Sequence, residues 1–314
     1  MKLTILDGHA VNPGDLSWDI FKKYAEVTVY DQTPQNEVIN RIGNSDAILL
    51  NKINIDSSVL KNCKNLKYIG VLATGYNVID IEAVKKAKIC VTNIPSYSTD
   101  AVSQHVFALI LHYTNHIALH NQSVQNKDWC NTNNFCYWNE PLTLLNQKTI
   151  GILGYGNIGK NVEKIAKSFG MKVLICPHKF NSAIENCVTQ DELFQKSDFI
   201  TLHTPLTNET KEIINSSTIS KMKDGVCIIN TARGGLINEN DVASAVKSKK
   251  IAYYASDVVL HEPMQKDCPL LNVKNIVLTP HIAWAPIETR KKLLQIAENN
   301  LKSFIEGNPV NMIY

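Results

Sequence analysis

Short runs of apolar residues alternate with helical patterns from one end of the chain to the other. Runs of four to six apolar residues, separated by amphipathic stretches, are typical of βαβ units around parallel sheets. The first third of the chain predicts strands at Leu3–Asp7, Val27–Tyr30, Ala47–Leu50, Tyr68–Val71 and Ile89–Thr92. A second series is predicted at Thr149–Leu153, Lys172–Cys176, Phe199–Leu202, Val226–Asn230, Tyr253–Val258 and Ile276–Thr279. The predicted fold is therefore α/β, with two doubly wound parallel-sheet domains.

The segments between and after the two series predict how the domains are divided. After Pro95, Asp100 is predicted to cap one long apolar helix, residues 101–120, which joins the domains. The last helix, predicted over Ile287–Ile305, follows the second series of strands, and packing it on the first domain makes that domain discontinuous. We therefore expect one domain of residues 1–98 plus 287–314, a second of residues 99–286, and a cleft between them.

An aromatic segment follows the joining helix. The stretch NKDWCNTNNFCYW, residues 126–138, contains Trp129, Phe135, Tyr137 and Trp138, more aromatic side chains than a solvated loop normally carries. A second subunit would cover them. We therefore expect a homodimer.

Composition and charge narrow the range of partners and compartments. The 314 residues carry 32 basic and 29 acidic side chains, spread so evenly that no nucleic acid or membrane partner is expected. The N-terminus lacks the order of a signal peptide and no run of 18 apolar residues occurs, so a cytoplasmic location is expected. The eight cysteines form no C-x-x-C pair, which indicates reduced core residues and no metal site.

A glycine-rich turn separates the first strand of the second series from a helix. The sequence GYGNIG places Gly154, Gly156 and Gly159 in a G-x-G-x-x-G pattern. The first glycine permits a tight turn, the second lets backbone amides approach a pyrophosphate, and the third lets helix and strand pack closely. The helix N-terminus then faces the anion. This context predicts dinucleotide binding.

The next strand ends without the acid that NAD-binding chains normally place there. An acid at this position hydrogen-bonds the ribose hydroxyls of NAD and repels the 2′-phosphate of NADP. Here the strand runs into Pro177, followed by His178 and Lys179, which could supply positive charge to a phosphate. We therefore favour NADP(H) over NAD(H). In the alternative, His178 and Lys179 are solvated surface residues and NAD(H) binds through its pyrophosphate and nicotinamide.

Three chemically useful side chains follow strands of the second series. Arg233 follows the predicted strand in VCIINTARGG. In YYASDVVLHEP, Glu262 lies in the loop after Asp257, and His281 directly follows NIVLTP. Ligands of doubly wound sheets bind beyond the carboxyl ends of the strands. A guanidinium can hold a carboxylate with two hydrogen bonds, and a carboxylate beside an imidazole favours its protonated form. Together, at the strand ends of one sheet, these residues predict a catalytic site.

Six segments in order carry a family resemblance over nearly the whole chain. LATGYNVID, GYGNIG, LHTPLT, NTARGGLINE, DVVLHEP and TPHIAW together resemble the D-isomer-specific 2-hydroxyacid dehydrogenases. The resemblance implies a Rossmann dinucleotide-binding domain inserted in a flavodoxin-like substrate domain. It also implies that Arg233 orients the substrate, that His281 is the acid/base, and that Glu262 is the partner of His281.

Further site residues follow from the same resemblance. The implied cofactor site contains Gly154, Tyr155, Gly156, Asn157, Ile158, Gly159, Thr204, Pro205, Thr231, Ala232, Arg233, Asp257 and His281. Asp257 is expected to hold the nicotinamide amide or the ribose. Backbone amides of Ala73, Thr74 and Gly75 are implied as contacts of the substrate carboxylate. Lys52, which also follows a strand, is a candidate second contact, with a solvated lysine as the alternative.

The expected function is NAD(P)-dependent interconversion of a small 2-oxo acid and its D-2-hydroxy acid. Within the family the chain looks most like glycerate dehydrogenases, also called hydroxypyruvate reductases, so hydroxypyruvate or glyoxylate is the expected substrate. A D-lactate dehydrogenase or broad-specificity 2-oxo acid reductase is the near alternative. A dinucleotide-sensing corepressor, which binds cofactor with little turnover, is the alternative of another class.

Overall fold

The computed structural model describes residues 1–314 and divides them into two compact units. Unit 1 comprises Met1–Ser98 with Trp284–Tyr314, and unit 2 comprises Thr99–Ala283. The sequence placed the return to the first domain at residue 287. The return lies at Trp284 because this side chain already packs with Tyr97 of unit 1, at 6.4 Å between ring centroids.

Unit 1 is built on a five-stranded parallel sheet in the order β2-β1-β3-β4-β5. Its strands are β1 Lys2–Ile5, β2 Glu26–Val29, β3 Ala47–Leu50, β4 Tyr68–Val71 and β5 Cys90–Thr92. Its helices are α1 Val38–Ile42, α2 Ser57–Asn62, α3 Ile81–Ala87 and the C-terminal helix Ile287–Ile305. All four positions of β3 and of β4 are buried, as expected for strands covered on both faces.

Unit 2 is built on a six-stranded parallel sheet in the order β11-β10-β9-β8-β6-β7. Its strands are β6 Thr149–Leu153, β7 Lys172–Cys176, β8 Phe199–Leu202, β9 Val226–Asn230, β10 Ile251–Ser256 and β11 Ile276–Leu278. Its helices are α4 Thr99–Asn115, α5 Ile117–Gln125, α6 Asn157–Ser168, α7 Gln190–Lys196, α8 Ser216–Ser220 and α9 Glu239–Lys247, which makes the C-terminal helix of unit 1 α10. The two parallel-sheet units confirm the predicted fold class.

The predicted helix over residues 101–120 is wrong as a single element. Asp100 lies inside the first turn of α4, not before it, and the helix ends at Asn115. His116 has a φ of 47°, and this left-handed residue separates α4 from α5. A left-handed residue cannot continue a right-handed helix, so the chain changes direction here. Neither α4, α5 nor any other helix is long and apolar enough to cross a membrane.

The order of strands determines which loops of unit 2 are neighbours. Because all six strands are parallel, their carboxyl ends lie at one edge of the sheet. The loops after β6, β7 and β8 are adjacent there, as are the loops after β9, β10 and β11. The glycine turn falls in the first group, and Arg233, Glu262 and His281 fall in the second.

Candidate active site

The glycine turn leaves open space in front of the N-terminus of α6. Gly154 has a φ of 97°, and a Cβ added there would lie 2.5 Å from the carbonyl carbon of His203. A Cβ on Gly159 would lie 2.4 Å from the carbonyl oxygen of Gly154. Gly156, by contrast, has nothing within 4 Å of its Cβ position. Gly154 and Gly159 are thus required for packing, whereas Gly156 leaves the free N–H groups of the helix accessible to a pyrophosphate.

The remaining residues of the turn have separate surroundings. Tyr155 donates its hydroxyl hydrogen to the Glu163 carboxylate, and this bond, together with burial, raises the pKa of Tyr155 to about 12. The Tyr155 side chain is therefore held against α6. Asn157 is the first residue of α6, and Ile158 packs against the core between α6 and the sheet.

A pocket of about 460 Å³ lies beside the turn, at the ends of β6, β7 and β8. Its lining comprises Leu153, Gly154, Cys176, Pro177, His178, Phe180, Val188, Thr189, Gln190, Thr204, Glu209, Thr210 and Ile213. Of the two basic residues predicted to meet a 2′-phosphate, His178 lines the pocket and Lys179 does not. Of the predicted pair Thr204 and Pro205, only Thr204 lines it. Glu209 was not predicted, because nothing in the local sequence pattern places it in a pocket with the residues that follow β7.

The loop after β9 is held by Asn230, a buried residue that no sequence motif singled out. Asn230 accepts a hydrogen bond from the Ala232 amide at 3.0 Å and donates one to the Arg233 carbonyl at 2.9 Å. The Arg233 side chain is exposed, and its Nη1 donates to the Ala232 carbonyl at 2.7 Å. The buried Thr231 hydroxyl has no partner within the protein, so this loop retains hydrogen-bonding capacity for a ligand.

His281 and Glu262 form a hydrogen-bonded pair beyond the ends of β11 and β10. Nδ1 of His281 lies 2.7 Å from Oε2 of Glu262, and the two side chains are 29% and 34% exposed. The other carboxylate oxygen of Glu262 accepts from the Val259 amide at 3.3 Å. The imidazole is thus oriented through one nitrogen, which leaves Nε2 as the nitrogen available for proton transfer.

Asp257 braces the turn that carries His281. Its carboxylate accepts hydrogen bonds from the amides of Ile282 at 2.9 Å and Ala283 at 2.8 Å, and from the Thr279 hydroxyl at 2.5 Å. Nε2 of His105 lies 3.0 Å from the same hydroxyl. Because the hydroxyl hydrogen goes to Asp257, this nitrogen of His105 is the donor. Asp257 was expected to hold the nicotinamide amide or ribose; three of its acceptor positions are occupied by the protein.

The predicted substrate residues of unit 1 follow β3 and β4. The Thr74 hydroxyl donates to the Ile94 carbonyl at 2.7 Å, and the Ala73 carbonyl accepts from the Ile94 amide at 3.0 Å. Gly75 follows them in the same loop and is half-buried. The Lys52 amide donates to the Asp7 carboxylate at 2.6 Å, and its side chain is exposed.

Comparison with known proteins decides the family. The model of the D-isomer specific 2-hydroxyacid dehydrogenase NAD-binding domain matches residues 107–283. A hydroxypyruvate reductase of Blautia hydrogenotrophica is 47% identical over 320 residues, which cover 100% of this chain and 99% of the relative. This chain belongs to the D-isomer-specific 2-hydroxyacid dehydrogenase family. It is an NAD(P)-dependent D-2-hydroxyacid dehydrogenase, and the predicted family and enzyme class are confirmed.

Other proteins are similar to this chain over its whole length. A glycerate dehydrogenase of Methylorubrum extorquens is 34% identical over 99% of this chain and 98% of its own. A solved structure of an acyclic imino acid reductase in complex with NADPH and D-Arg is 32% identical, covers both chains completely and superimposes with a TM-score of 0.86. Unit 2 contains the NAD-binding domain of the family, and the glycine turn, the open helix end and the adjacent pocket fit the dinucleotide.

Proposed function

We propose that this dehydrogenase reduces hydroxypyruvate or glyoxylate to D-glycerate or glycolate, and catalyses the reverse reaction. The observation that carries the proposal is the 2.7 Å hydrogen bond between His281, which follows β11, and Glu262, which follows β10. The end of β10 neighbours the end of β9, which Arg233 follows, and the glycine turn follows β6 of the same sheet. The names of the relatives, hydroxypyruvate reductase and glycerate dehydrogenase, support the choice of substrate.

His281 is the proposed acid and base. The Glu262 carboxylate stabilises the imidazolium, whose Nε2 hydrogen then passes to the substrate oxygen that becomes the hydroxyl. When bound, the nicotinamide supplies the hydride for reduction and accepts it in oxidation. In oxidation the neutral imidazole takes the hydroxyl proton. Reduction and oxidation therefore require His281 to start in opposite protonation states.

Arg233 is the proposed anchor of the substrate. Its side chain is exposed while its backbone is held by Asn230, so the guanidinium can exchange its hydrogen bond to the Ala232 carbonyl for bonds to a carboxylate without moving the loop. Amides of Ala73, Thr74 and Gly75 are the proposed second contact of the carboxylate, and Lys52 a further contact. An increase in KM for Thr74→Pro or Lys52→Ala, with kcat retained, is the expected sign of such roles.

The reaction assay that tests the proposal compares substrates and one variant. Purified protein with either coenzyme should reduce hydroxypyruvate and glyoxylate with higher kcat/KM than pyruvate. His281→Gln should lower kcat for reduction by about 10²–10⁴-fold, the usual contribution of a general acid. Pyruvate as the best substrate would establish the D-lactate alternative. Binding of coenzyme without any turnover would favour a sensing role.

We propose that the coenzyme is NADP(H) in preference to NAD(H). Pro177 stands where an acid would repel the 2′-phosphate, and His178 lines the pocket beside it. The NADPH in the structure of the imino acid reductase supports the same choice. His178→Ala should raise KM for NADPH and leave KM for NADH unchanged. Lys179→Ala, a change outside the pocket lining, is the control. Equal losses with both coenzymes would remove the reason for this preference.

We propose a homodimer formed through the arm, defined as residues 126–144. Its side chains Trp129, Phe135, Trp138, Leu142 and Leu144 are 49% to 92% exposed. Phe135→Asp with Leu144→Asp should weaken the dimer in sedimentation, whereas Ile305→Asp, at another exposed apolar position, should not. Native protein that sediments only as a monomer would contradict the proposal.

We also propose a cytoplasmic location. The eight free cysteines support it, because the cytoplasm is a reducing compartment.

A further inference from the structure

An acid lines the pocket from the loop after β8, a strand that β6 separates from β7 in the sheet. Glu209 lies in the loop after β8 and is the only carboxylate among the residues that line the pocket. His178, at the end of β7, is the only titratable base among them. The strand that normally carries the acid is thus followed by a base, and the acid of the pocket comes from the loop after β8.

The Glu209 carboxylate is held in an ordered loop. Its Oε2 accepts from the Thr207 hydroxyl at 2.6 Å. Thr207 is held in turn, because its amide donates to the Thr210 hydroxyl oxygen at 2.8 Å, and the Thr210 hydroxyl donates to the Pro205 carbonyl at 2.6 Å. The Thr207 hydrogen bond, and to a smaller extent the charge of His178, hold the pKa of Glu209 below its usual value. Glu209 is therefore ionised at neutral pH.

We propose that Glu209 is a coenzyme-specificity residue, which opposes the 2′-phosphate of NADP(H) and so keeps NAD(H) usable despite Pro177. This inference rests on the proposed binding of the dinucleotide. A carboxylate in the same pocket repels a 2′-phosphate that carries nearly two negative charges. It has no such effect on the free ribose hydroxyls of NAD(H). Opposite signs at His178 and Glu209 would then leave only a small net preference between the two coenzymes.

Binding of nucleotide fragments tests the inference without turnover. Calorimetric titration with adenosine 2′,5′-bisphosphate and with 5′-AMP separates the effect of the 2′-phosphate from that of the rest of the coenzyme. Glu209→Gln retains an oxygen for the Thr207 hydrogen bond and removes only the charge. It should tighten binding of the bisphosphate about five- to tenfold and change AMP binding less than twofold. The expected gain is modest because solvent and salt partly screen the repulsion between one carboxylate and the 2′-phosphate. The gain should shrink in 1 M salt.

A second variant and a control complete the experiment. Glu209→Lys should tighten binding of the bisphosphate more than Glu209→Gln does. Asp224→Asn removes the same charge in the turn before β9, at the amino end of the strands, and should have no effect. A ratio of the two affinities that stays within twofold of the native value in both Glu209 variants would overturn the inference. If the ratio shifts but hydroxypyruvate is not reduced, the proposed reaction fails and the role of Glu209 stands.

Discussion

At the scale of single residues, the position of His281 is set by its neighbours more than by its own strand. Its φ of 55° is in the left-handed region, and its amide donates to the carbonyls of Asp257 at 2.9 Å and Thr279 at 3.0 Å. Its ring is oriented by Glu262 at 2.7 Å. A histidine with an unfavourable φ is retained where surrounding hydrogen bonds hold it, which is common at active sites.

Replacing Glu262 should affect the two directions of the reaction unequally. Glu262→Gln keeps a hydrogen-bonding group beside His281 but removes the charge that stabilises the imidazolium. In the proposed mechanism reduction starts from the imidazolium and oxidation from the neutral ring, so kcat for reduction at pH 7 should fall about tenfold more than kcat for oxidation. Steady-state rates in both directions check this. Equal losses would mean that Glu262 only positions the ring.

At the scale of elements, the site depends on contact between the loops after β9 and β10. A Cβ on Gly234 would lie 2.0 Å from the carbonyl carbon and 2.1 Å from the carbonyl oxygen of Val259. These loops carry Arg233 and Glu262. The backbones therefore approach as closely as they do only because position 234 has no side chain. The Leu260 amide, which donates to Glu239 at 2.8 Å, links the second loop to α9.

Gly234→Ala should separate the two loops and inactivate the enzyme. We expect kcat/KM to fall at least about 100-fold, the scale of loss that a displacement of about 1 Å causes. Gly235→Ala is the matched control, because its Cβ would meet only the flexible Leu206 side chain, at 2.9 Å. Steady-state kinetics and thermal melts of both variants check the prediction. Similar activity of the two variants would contradict it.

At the scale of the whole molecule, the chain leaves unit 1 after Ser98 and returns at Trp284. Arg290 of α10, which is 8% exposed, ties the returning segment to the N-terminal part of unit 1. Its Nη1 and Nη2 each lie 2.6 Å from an oxygen of Asp15, and Nη1 also donates to the Val11 carbonyl at 3.2 Å. The hydrogen bonds from Arg290 hold the pKa of Asp15 below its usual value.

Asp15→Asn should destabilise the protein in a pH-dependent way. A carboxyl whose pKa is lower in the folded state contributes stability above its unfolded pKa of about 4, and loses it as the pH falls through the folded pKa. The urea midpoint of the variant should therefore lie below the native midpoint at pH 7, and the gap should narrow toward pH 3. Asp19→Asn, at an exposed pair with Lys22, should show little gap.

Local spacing in the sequence determined the two parallel-sheet units, the G-x-G-x-x-G turn and the family, because burial and backbone geometry impose those patterns residue by residue. The three strand-end residues Arg233, Glu262 and His281 were predicted for the same reason. Tertiary structure decided the break at His116, the choice of His178 over Lys179 as a pocket residue, and the presence of Glu209 in the same pocket as His178. These features depend on which way a loop turns after its strand, and that direction is set by hydrogen bonds and packing with residues distant in the chain.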